Sequence, residues 1–273
     1  MTPLPTPVLP RSHTGHARTP AQSTPSPKEV FTPEPFEALY SRIVEDRVLR
    51  HPRSLQTAIG PSELGEPCAR KLLARLAGLK DPRQEVAWKT VIGTAVHSWM
   101  EDCFTEANGD NQNTPRFVTE WRVDVGEVGG RTVSGSCDLY DTLTHTVADH
   151  KCVGIKQIAK YRVDGPPEIY RRQINLYALG FLRDQGWGTP KRVAICFLPR
   201  DGEWGKRWVW EAPVDYPLAI DTLNRANQLA QLLATDGLEA AQARQELCDS
   251  PWCWACKPHH RDAEQSERTS LFL

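Results

Sequence analysis

The chain has 273 residues, of which 40% are hydrophobic and 25% charged, as is usual for a globular protein with a sizeable core. Its formal net charge of −1 argues against a globally basic nucleic-acid binder, so any polyanion contact must come from local basic patches or metal ions. The sequence has no run of ~20 apolar residues and no apolar signal core at the N-terminus, so we expect a cytoplasmic protein without membrane contact.

The predicted elements begin after residues 1–35, which are rich in proline, threonine and serine and predict a disordered arm. Apolar residues at helical spacing then predict helices at 35–50, 60–79, 87–104, 168–186 and 217–237. Alternating patterns bounded by turn residues predict strands at 116–125, 131–141, 145–153, 191–200 and 205–214. We therefore expect one α/β domain over 36–258, followed by a polar tail over 259–273.

Two aspartates lie on neighbouring predicted strands. Asp138 lies near the end of one strand and Asp149 lies in the next, and antiparallel neighbours can place such residues side by side. Two close carboxylates repel unless a cation lies between them, and Mg²⁺ prefers oxygen ligands. Lys151 shares a strand face with Asp149, where its ammonium could orient or deprotonate a water and stabilise charge on a phosphate. The set predicts metal-assisted phosphodiester hydrolysis, and the alternative is an exposed hairpin face with a salt bridge.

Two helices add polar side chains at helical spacing. Gly93, His97 and Glu101 form one stripe, in which the glycine permits close approach and the histidine suits a metal. The alternative is an ordinary packed histidine. Gln173 and Tyr177 lie four residues apart and could bind a phosphate or orient the lysine, or could simply form a helix face with a buried tyrosine.

The segments "GTAVHSWME", "SGSCD", "ADHK" and "QINLY", in that order, resemble the motifs of the PD-(D/E)XK nuclease superfamily. The sequence is most similar to the RecB-like branch, which includes the CRISPR-associated iron–sulfur exonucleases and many phage relatives. The resemblance spans Ser62 to Cys256. It implies a restriction-endonuclease-like core, with a central mixed β-sheet flanked by helices. One departure is that "GSC", rather than a proline, precedes the first aspartate.

The resemblance also implies roles for individual residues. His97, Asp138 and Asp149 would ligate Mg²⁺ or Mn²⁺, with the main-chain carbonyl of His150. Lys151 would be the catalytic lysine. The residues that match further motif positions are Gln173 and Tyr177 in the downstream helix, with Glu101 and Glu120 as supporting acidic groups.

The eight cysteines are unevenly distributed. Cys248, Cys253 and Cys256 form a cluster typical of metal binding, whereas the scattered ones suit core packing. In branches of the resembled family, one upstream cysteine and three downstream ones hold an iron–sulfur cluster that joins the two ends of the domain. Cys68 occupies the upstream position, so the resemblance implies a 4Fe–4S cluster. Zinc is the alternative, since histidines 259 and 260 follow closely, and the absence of any metal is a third option.

DNA contacts are expected from local basic groups, although each could equally be a solvated helix face. These groups are Arg70, Lys71, Arg75, Arg171 and Arg172. The resemblance implies DNA ends or single strands as substrate, with low sequence specificity. No phosphate-binding loop of the G-x-x-x-x-G-K-[ST] type is present, so a helicase or recombinase would be a separate partner. The final "RTSLFL", with Leu271 and Phe272, resembles a sliding-clamp peptide, or is a frayed tail.

These observations support three functions. The first is a metal-dependent DNA exonuclease in bacterial or phage recombination, repair or replication. The second is a non-catalytic iron–sulfur or zinc DNA-binding module on a nuclease fold. The third is an RNA-processing nuclease, because nothing in the sequence reports on the 2′-hydroxyl. The presence of His97, Asp138, Asp149 and Lys151 together favours an enzyme.

Overall fold

The computed structural model describes residues 35–50, 58–82, 88–110, 114–184, 186–250 and 252–257. The chain divides into two units, residues 1–43 and 44–273, and the β-sheet lies in the second. Apart from residue 35, the predicted arm lies outside the described residues, as does the whole predicted tail with Leu271 and Phe272. None of the helices described is long and apolar enough to span a membrane.

Five strands form one mixed sheet, in the order β1-β2-β3-β4-β5. They are β1 Phe117–Val128, β2 Arg131–Asp141, β3 Thr146–Val153, β4 Arg192–Pro199 and β5 Trp208–Pro213. Strands β3 and β4 pair in parallel, whereas the other neighbouring pairs are antiparallel. A parallel pair needs a long crossover, which two helices between β3 and β4 provide. The predicted α/β fold with a central mixed sheet and flanking helices is confirmed.

The helices lie before the sheet, in the crossover and after the sheet. They are α1 Phe36–Leu49, α2 Pro61–Leu64, α3 Ala69–Leu76, α4 Trp88–Ala107, α5 Ile155–Asp164, α6 Glu168–Asp184, α7 Tyr216–Asp236 and α8 Leu238–Ala243. Helices α5 and α8 were not predicted from the sequence. Helix α5 buries only Ile158 among its residues, so the apolar periodicity that reveals a helix is weak there.

The main core lies between one face of the sheet and helices α6 and α7. Helix α6 buries a continuous run from Gln173 to Phe181, and Phe181 stacks on Tyr140 of β2. Gly180 permits this packing, because a Cβ added there would lie 2.6 Å from Cγ2 of Val123. The core therefore fixes α6 closely against β1, and with it the side chains that α6 presents to the site.

Helix α4 covers part of the opposite face of the sheet. Phe104 packs there beside a small cluster of Leu139, Ala148 and Ala194. None of the residues of α4 is fully buried, and Trp99 is 70% exposed. The apolar spacing predicted this helix correctly, but the helix is only partly buried, and its residues Thr90 and His97 line the site.

Candidate active site

The site forms where strands β2 and β3 separate. Their registered pairing ends at Leu139 opposite Ala148, so Asp138 and Asp149 are the next residues on the two strands. Beyond this point β3 continues to pair with β4. The main-chain N–H of His150 donates instead to Oδ2 of Asp138, over 2.6 Å. The Asp138 carboxylate thus accepts the hydrogen bond that a main-chain carbonyl would accept in a continuous strand pair.

Three side chains meet above this opening. Ligand atoms of His97, Glu120 and Asp138 all lie within 4.8 Å of one another. Nδ1 of His97 lies 3.4 Å from Oδ1 of Asp138 and 3.9 Å from Oε1 of Glu120. The Nδ1 atom is buried, and no described residue meets it with hydrogen-bond geometry. Helix α4 and strands β1 and β2 therefore converge on one group of potential metal ligands.

Glu120 occupies an unusual backbone conformation, with φ +46°. The pairing of β1 with β2 registers Thr119 and Trp121 but passes over Glu120. A non-glycine residue in the left-handed region is uncommon, and such local strain is typical of functional sites.

A buried ion pair lies beside this group. Nζ of Lys151 is 2.6 Å from Oδ2 of Asp149, and Nε2 of Gln173 donates to Oδ1 of the same carboxylate over 3.0 Å. The Lys151 ammonium also lies 5.0 Å from the ring centre of Tyr170, close enough for a cation–π contact. The lysine is thus held at the site by a strand neighbour and by the crossover helix α6.

The charges at the site modify one another. Burial raises the pKa of Asp149 to about 6, against the lowering effect of Lys151. Burial also opposes ionisation of Asp138, but the contact with His97 and the charge of Lys151 bring the pKa of Asp138 below its ordinary value. Burial alone would lower the pKa of Lys151, yet the Asp149 and Asp138 carboxylates raise it. The lysine is accordingly a cation at neutral pH.

These groups line a polar cleft of about 740 Å³. Its wall includes the predicted residues His97, Asp138, Asp149, His150, Lys151, Gln173 and Tyr177. Gly135 permits close packing in the cleft wall, since an added Cβ would lie 2.8 Å from Cδ of Pro61 and 3.2 Å from the Tyr177 hydroxyl. Tyr177 is buried, and burial raises its pKa well above the ordinary value, so its phenol is neutral.

One prediction for helix α4 needs correction. Among the described residues, nothing lies within 4 Å of a Cβ added to Gly93, so the expected close approach is not made there. Glu101 does not line the cleft as far as the structure describes it, and its supporting role remains a prediction. Glu120 was predicted only as a supporting group. One of its carboxylate oxygens lies within 4.8 Å of ligand atoms of His97 and Asp138, close enough for the three to share a metal ion. The register of β1 on β2 brings Glu120 close to Asp138, and the spacing of residues along one helix cannot predict that contact.

The predicted phosphate-binding residues divide into two sets. Arg75 lines the cleft, and Arg171 is exposed. Arg70 is buried and donates to the main-chain carbonyls of Gln242 and Gln245, so it is a packing residue rather than the expected phosphate contact.

The two remaining basic residues are paired with carboxylates. Nζ of Lys71 lies 2.6 Å from Oε2 of Glu66, and Nη2 of Arg172 lies 2.6 Å from Oε1 of Glu168. These pairs reduce the positive charge that either residue offers to a phosphate.

Sequence reasoning missed several residues of the cleft wall. Arg122 and Lys80 add positive charge there, and Tyr170 lies beside the Lys151 ammonium. Tyr170 precedes Gln173 by three residues on the same helix, and this helical spacing was a usable signal. Arg122 and Lys80 stand in segments without a motif, and only the tertiary fold brings them to the cleft.

The four cysteines predicted to act together also meet. Sγ of Cys68 lies 3.6 Å from Sγ of Cys256 and 3.7 Å from Sγ of Cys253, and Cys248 completes the group. None of these four cysteines forms a disulfide, and burial raises the pKa of Cys68 above the ordinary value. The group can hold a metal ion or cluster between the start of α3 and the segment that follows α8.

No family model matches the sequence, and no curated protein matches it. Several solved structures are similar in chain path. The crystal structure of SSO0001 is 15% identical, with a TM-score of 0.43, over 74% of this chain and 89% of that one. An alkaline exonuclease, LHK-Exo, from Laribacter hongkongensis is 11% identical, with a TM-score of 0.37, over 67% and 94%. A phage-related exonuclease from Haemophilus somnus 129PT is 14% identical, with a TM-score of 0.35, over 60% and 77%.

Proposed function

We propose that the protein is a metal-dependent deoxyribonuclease that removes nucleotides from DNA ends. The observation that carries this proposal is the convergence of His97, Glu120 and Asp138 beside the buried Asp149–Lys151 pair, in one polar cleft. A purely structural salt bridge would not need a histidine and two further carboxylates around it.

The residues present fit a divalent cation. Nδ1 of His97 is buried without a hydrogen-bond partner among the described residues, and it faces two carboxylates. Carboxylate oxygens with one imidazole suit Mg²⁺ or Mn²⁺. We assign His97, Asp138 and Glu120 to the ion, with Asp149 and the main-chain carbonyl of His150 as further ligands. A carboxylate can accept several partners, so Asp149 can ligate while it holds Lys151 and Gln173.

When bound, the ion would lower the pKa of a water and neutralise charge on the scissile phosphate. Lys151 acts as a cation in this proposal, because the neighbouring carboxylates raise its pKa. It orients the attacking water and stabilises the charge that develops on the phosphate, rather than accepting a proton. Gln173 fixes the Asp149 carboxylate, and Tyr170 limits where the ammonium can lie.

DNA is the proposed substrate because the cleft carries cationic side chains as well as carboxylates. Arg75, Lys80 and Arg122 lie in its wall and can contact phosphates on either side of the cut. The preference for ends or single strands comes from the family that the motifs resemble. The same resemblance supports a role in recombination, repair or replication in a bacterial or phage-infected cell, with any helicase or recombinase as a separate protein.

The four cysteines have no hydrolytic role in this proposal. We assign them to a structural metal centre that joins the segment before α3 to the segment after α8.

The decisive experiment measures cleavage of end-labelled single- and double-stranded DNA and of a matched RNA. The purified full chain is assayed with Mg²⁺, with Mn²⁺ and with a chelator. We expect metal-dependent release of nucleotides from DNA ends, and the product ladder then gives the polarity. Lys151→Ala should lower the cleavage rate by at least roughly 10²–10³.

The matched control is Lys160→Ala, which removes an exposed lysine of the neighbouring helix α5 and should leave the rate unchanged. Binding of DNA without cleavage by the wild type under every metal condition would replace the enzyme with the non-catalytic binding module. Cleavage of RNA alone would reassign the substrate.

A further inference from the structure

The four-cysteine group is small. Sγ of Cys68 lies 3.6 Å and 3.7 Å from the sulfurs of Cys256 and Cys253, and with Cys248 all four sulfurs lie within 4.8 Å of one another. The paired residues are up to 188 positions apart in sequence, so tertiary structure, rather than a local turn, sets these separations.

A single tetrahedral zinc ion requires separations of this size. With Zn–S bonds of about 2.3 Å, two sulfurs on the same ion stand about 3.8 Å apart. A 4Fe–4S cluster places each thiolate on a different iron atom, so the cluster itself must fit between the four sulfurs. Thiol sulfurs nearly in contact leave no such space. We propose that this site holds one zinc ion on four thiolates and does not fit the iron–sulfur cluster that the family resemblance implied.

The local backbone agrees with a zinc site. Cys253 and Cys256 form a C-x₂-C pair, a spacing usual for zinc ligands. The N–H of Cys256 donates to the carbonyl of Cys253 over 3.1 Å, and the N–H of Lys257 donates to the same carbonyl over 2.8 Å. This tight turn points both sulfurs of the pair toward Cys68. Cys68, Cys253 and Cys256 are buried, which protects the thiolates from solvent.

A neighbouring cation can offset part of the charge of the site. Four thiolates around one zinc ion carry two net negative charges. The guanidinium of Arg225 donates to the carbonyls of Glu66 and Pro67, over 2.7 and 2.6 Å, directly before Cys68. This fixed cation lies on α7, so the same contact also joins α7 to the zinc site.

Contacts beside the site already hold the two segments together. Nη1 of Arg70 donates to the carbonyl of Gln242 over 2.6 Å, and Nε2 of Gln242 donates to the carbonyl of Arg70 over 2.8 Å. The zinc ion would extend this junction to the segment that carries Cys253 and Cys256. Its role is to stabilise that segment on α3 by coupling metal binding to folding.

Metal analysis tests the proposal without any activity measurement. The full chain is purified anaerobically from cells supplied with both iron and zinc, then analysed for metals, acid-labile sulfide and visible absorption. We expect about one zinc per chain, four sulfurs at about 2.3 Å in the zinc X-ray absorption spectrum, and no visible band. About four irons with sulfide and a brown colour would overturn the proposal.

Variants then locate the ion. Cys253→Ser should lose zinc, whereas Cys103→Ser, at an exposed cysteine outside the group, should keep it. If Cys253→Ser does not fold, the wild type itself serves through chelator-induced zinc release and thiol titration. Release of zinc together with the exposure of four further thiols supports the site. A protein that is metal-free as purified, with all its thiols already reactive or with disulfides, would refute it. Because none of these readouts involves DNA, failure here leaves the proposed nuclease unaffected.

Discussion

The main-chain N–H of His150 donates to Oδ2 of Asp138 over 2.6 Å, across the point where two strands part. One carboxylate therefore has two functions. It satisfies a backbone donor that the sheet no longer pairs, and its other oxygen faces His97 at 3.4 Å. The structural and proposed catalytic roles of Asp138 belong to different atoms of one side chain, so substitutions can separate them.

Asp138→Asn and Asp138→Ala should differ in stability but not in activity. An asparagine oxygen can still accept the His150 N–H, whereas alanine leaves that buried donor unpaired, at a cost of about 1–3 kcal/mol. Both variants should lose Mn²⁺ affinity and cleavage. Urea unfolding together with Mn²⁺ titration checks this. Equal stability of the two variants would mean that the hydrogen bond contributes nothing.

Lys151→Met should leave metal binding intact and lower the cleavage rate by roughly 10²–10³, the range for loss of one group that stabilises developing charge. Methionine keeps most of the buried volume while removing the ammonium. The bound ion would then be the remaining opposite charge beside the Asp149 carboxylate, so metal binding should persist. Single-turnover rates at saturating Mn²⁺ give the measurement, with Lys160→Met as the matched exposed control. A wild-type rate in Lys151→Met would remove the lysine from the mechanism.

Asp141 predicts a pH-dependent contribution to stability. Its carboxylate accepts hydrogen bonds from Nε and Nη2 of Arg116, both over 3.0 Å. It also accepts from the main-chain N–H of Leu143 over 3.0 Å and from the hydroxyl of Thr144 over 2.8 Å. Although burial acts to raise the pKa of Asp141, these partners lower it below the ordinary value. A lowered folded-state pKa stabilises the protein above the unfolded pKa, and this stability is lost as pH falls through the folded pKa.

Asp141→Asn should therefore reduce the free energy of unfolding at pH 7 by less than about 1 kcal/mol, because Arg116 is exposed and water screens the pair. The difference from wild type should shrink as pH falls below about 4, the unperturbed range for aspartate. Thermal unfolding from pH 7 to pH 3 checks this, with the exposed Asp124→Asn as a control that should show no such trend. A difference that stays constant over this range would contradict the assigned pKa shift.

Two glycines of the cleft wall predict opposite effects of the same substitution. Gly135→Ala should destabilise the protein by about 1–3 kcal/mol, because the new methyl group would meet Pro61 at 2.8 Å. Gly93→Ala should stabilise it by roughly 0.5–1 kcal/mol, because Gly93 is a helix-interior glycine with open space around its Cα. Denaturant midpoints of both variants test the pair, and destabilisation by Gly93→Ala would show that a neighbour approaches α4 closely after all.

The amino-acid sequence by itself determined the local elements and several groupings of residues. Alternation and helical spacing predicted all five strands and the long helices, because these periods follow from backbone geometry. The spacing of Asp149 and Lys151 predicted their shared strand face, and the ion pair between them follows from it. The cysteine cluster near the C-terminus indicated a metal site, and the family resemblance added Cys68 to it.

Only the tertiary structure decided which groups meet at atomic distance. Glu120 lies near His97 because the pairs Thr119–Leu139 and Trp121–Cys137 place it across from Asp138, and the sequence of one strand does not reveal its register on another. Arg70 was predicted to contact phosphates because it is basic. Instead it donates to a main-chain carbonyl 172 positions later in the sequence, and this contact makes it a packing residue. The separations between the cysteine sulfurs likewise depend on how two distant segments dock. Sequence patterns report the period of one segment, whereas register, burial and the size of a metal site arise from contacts between segments.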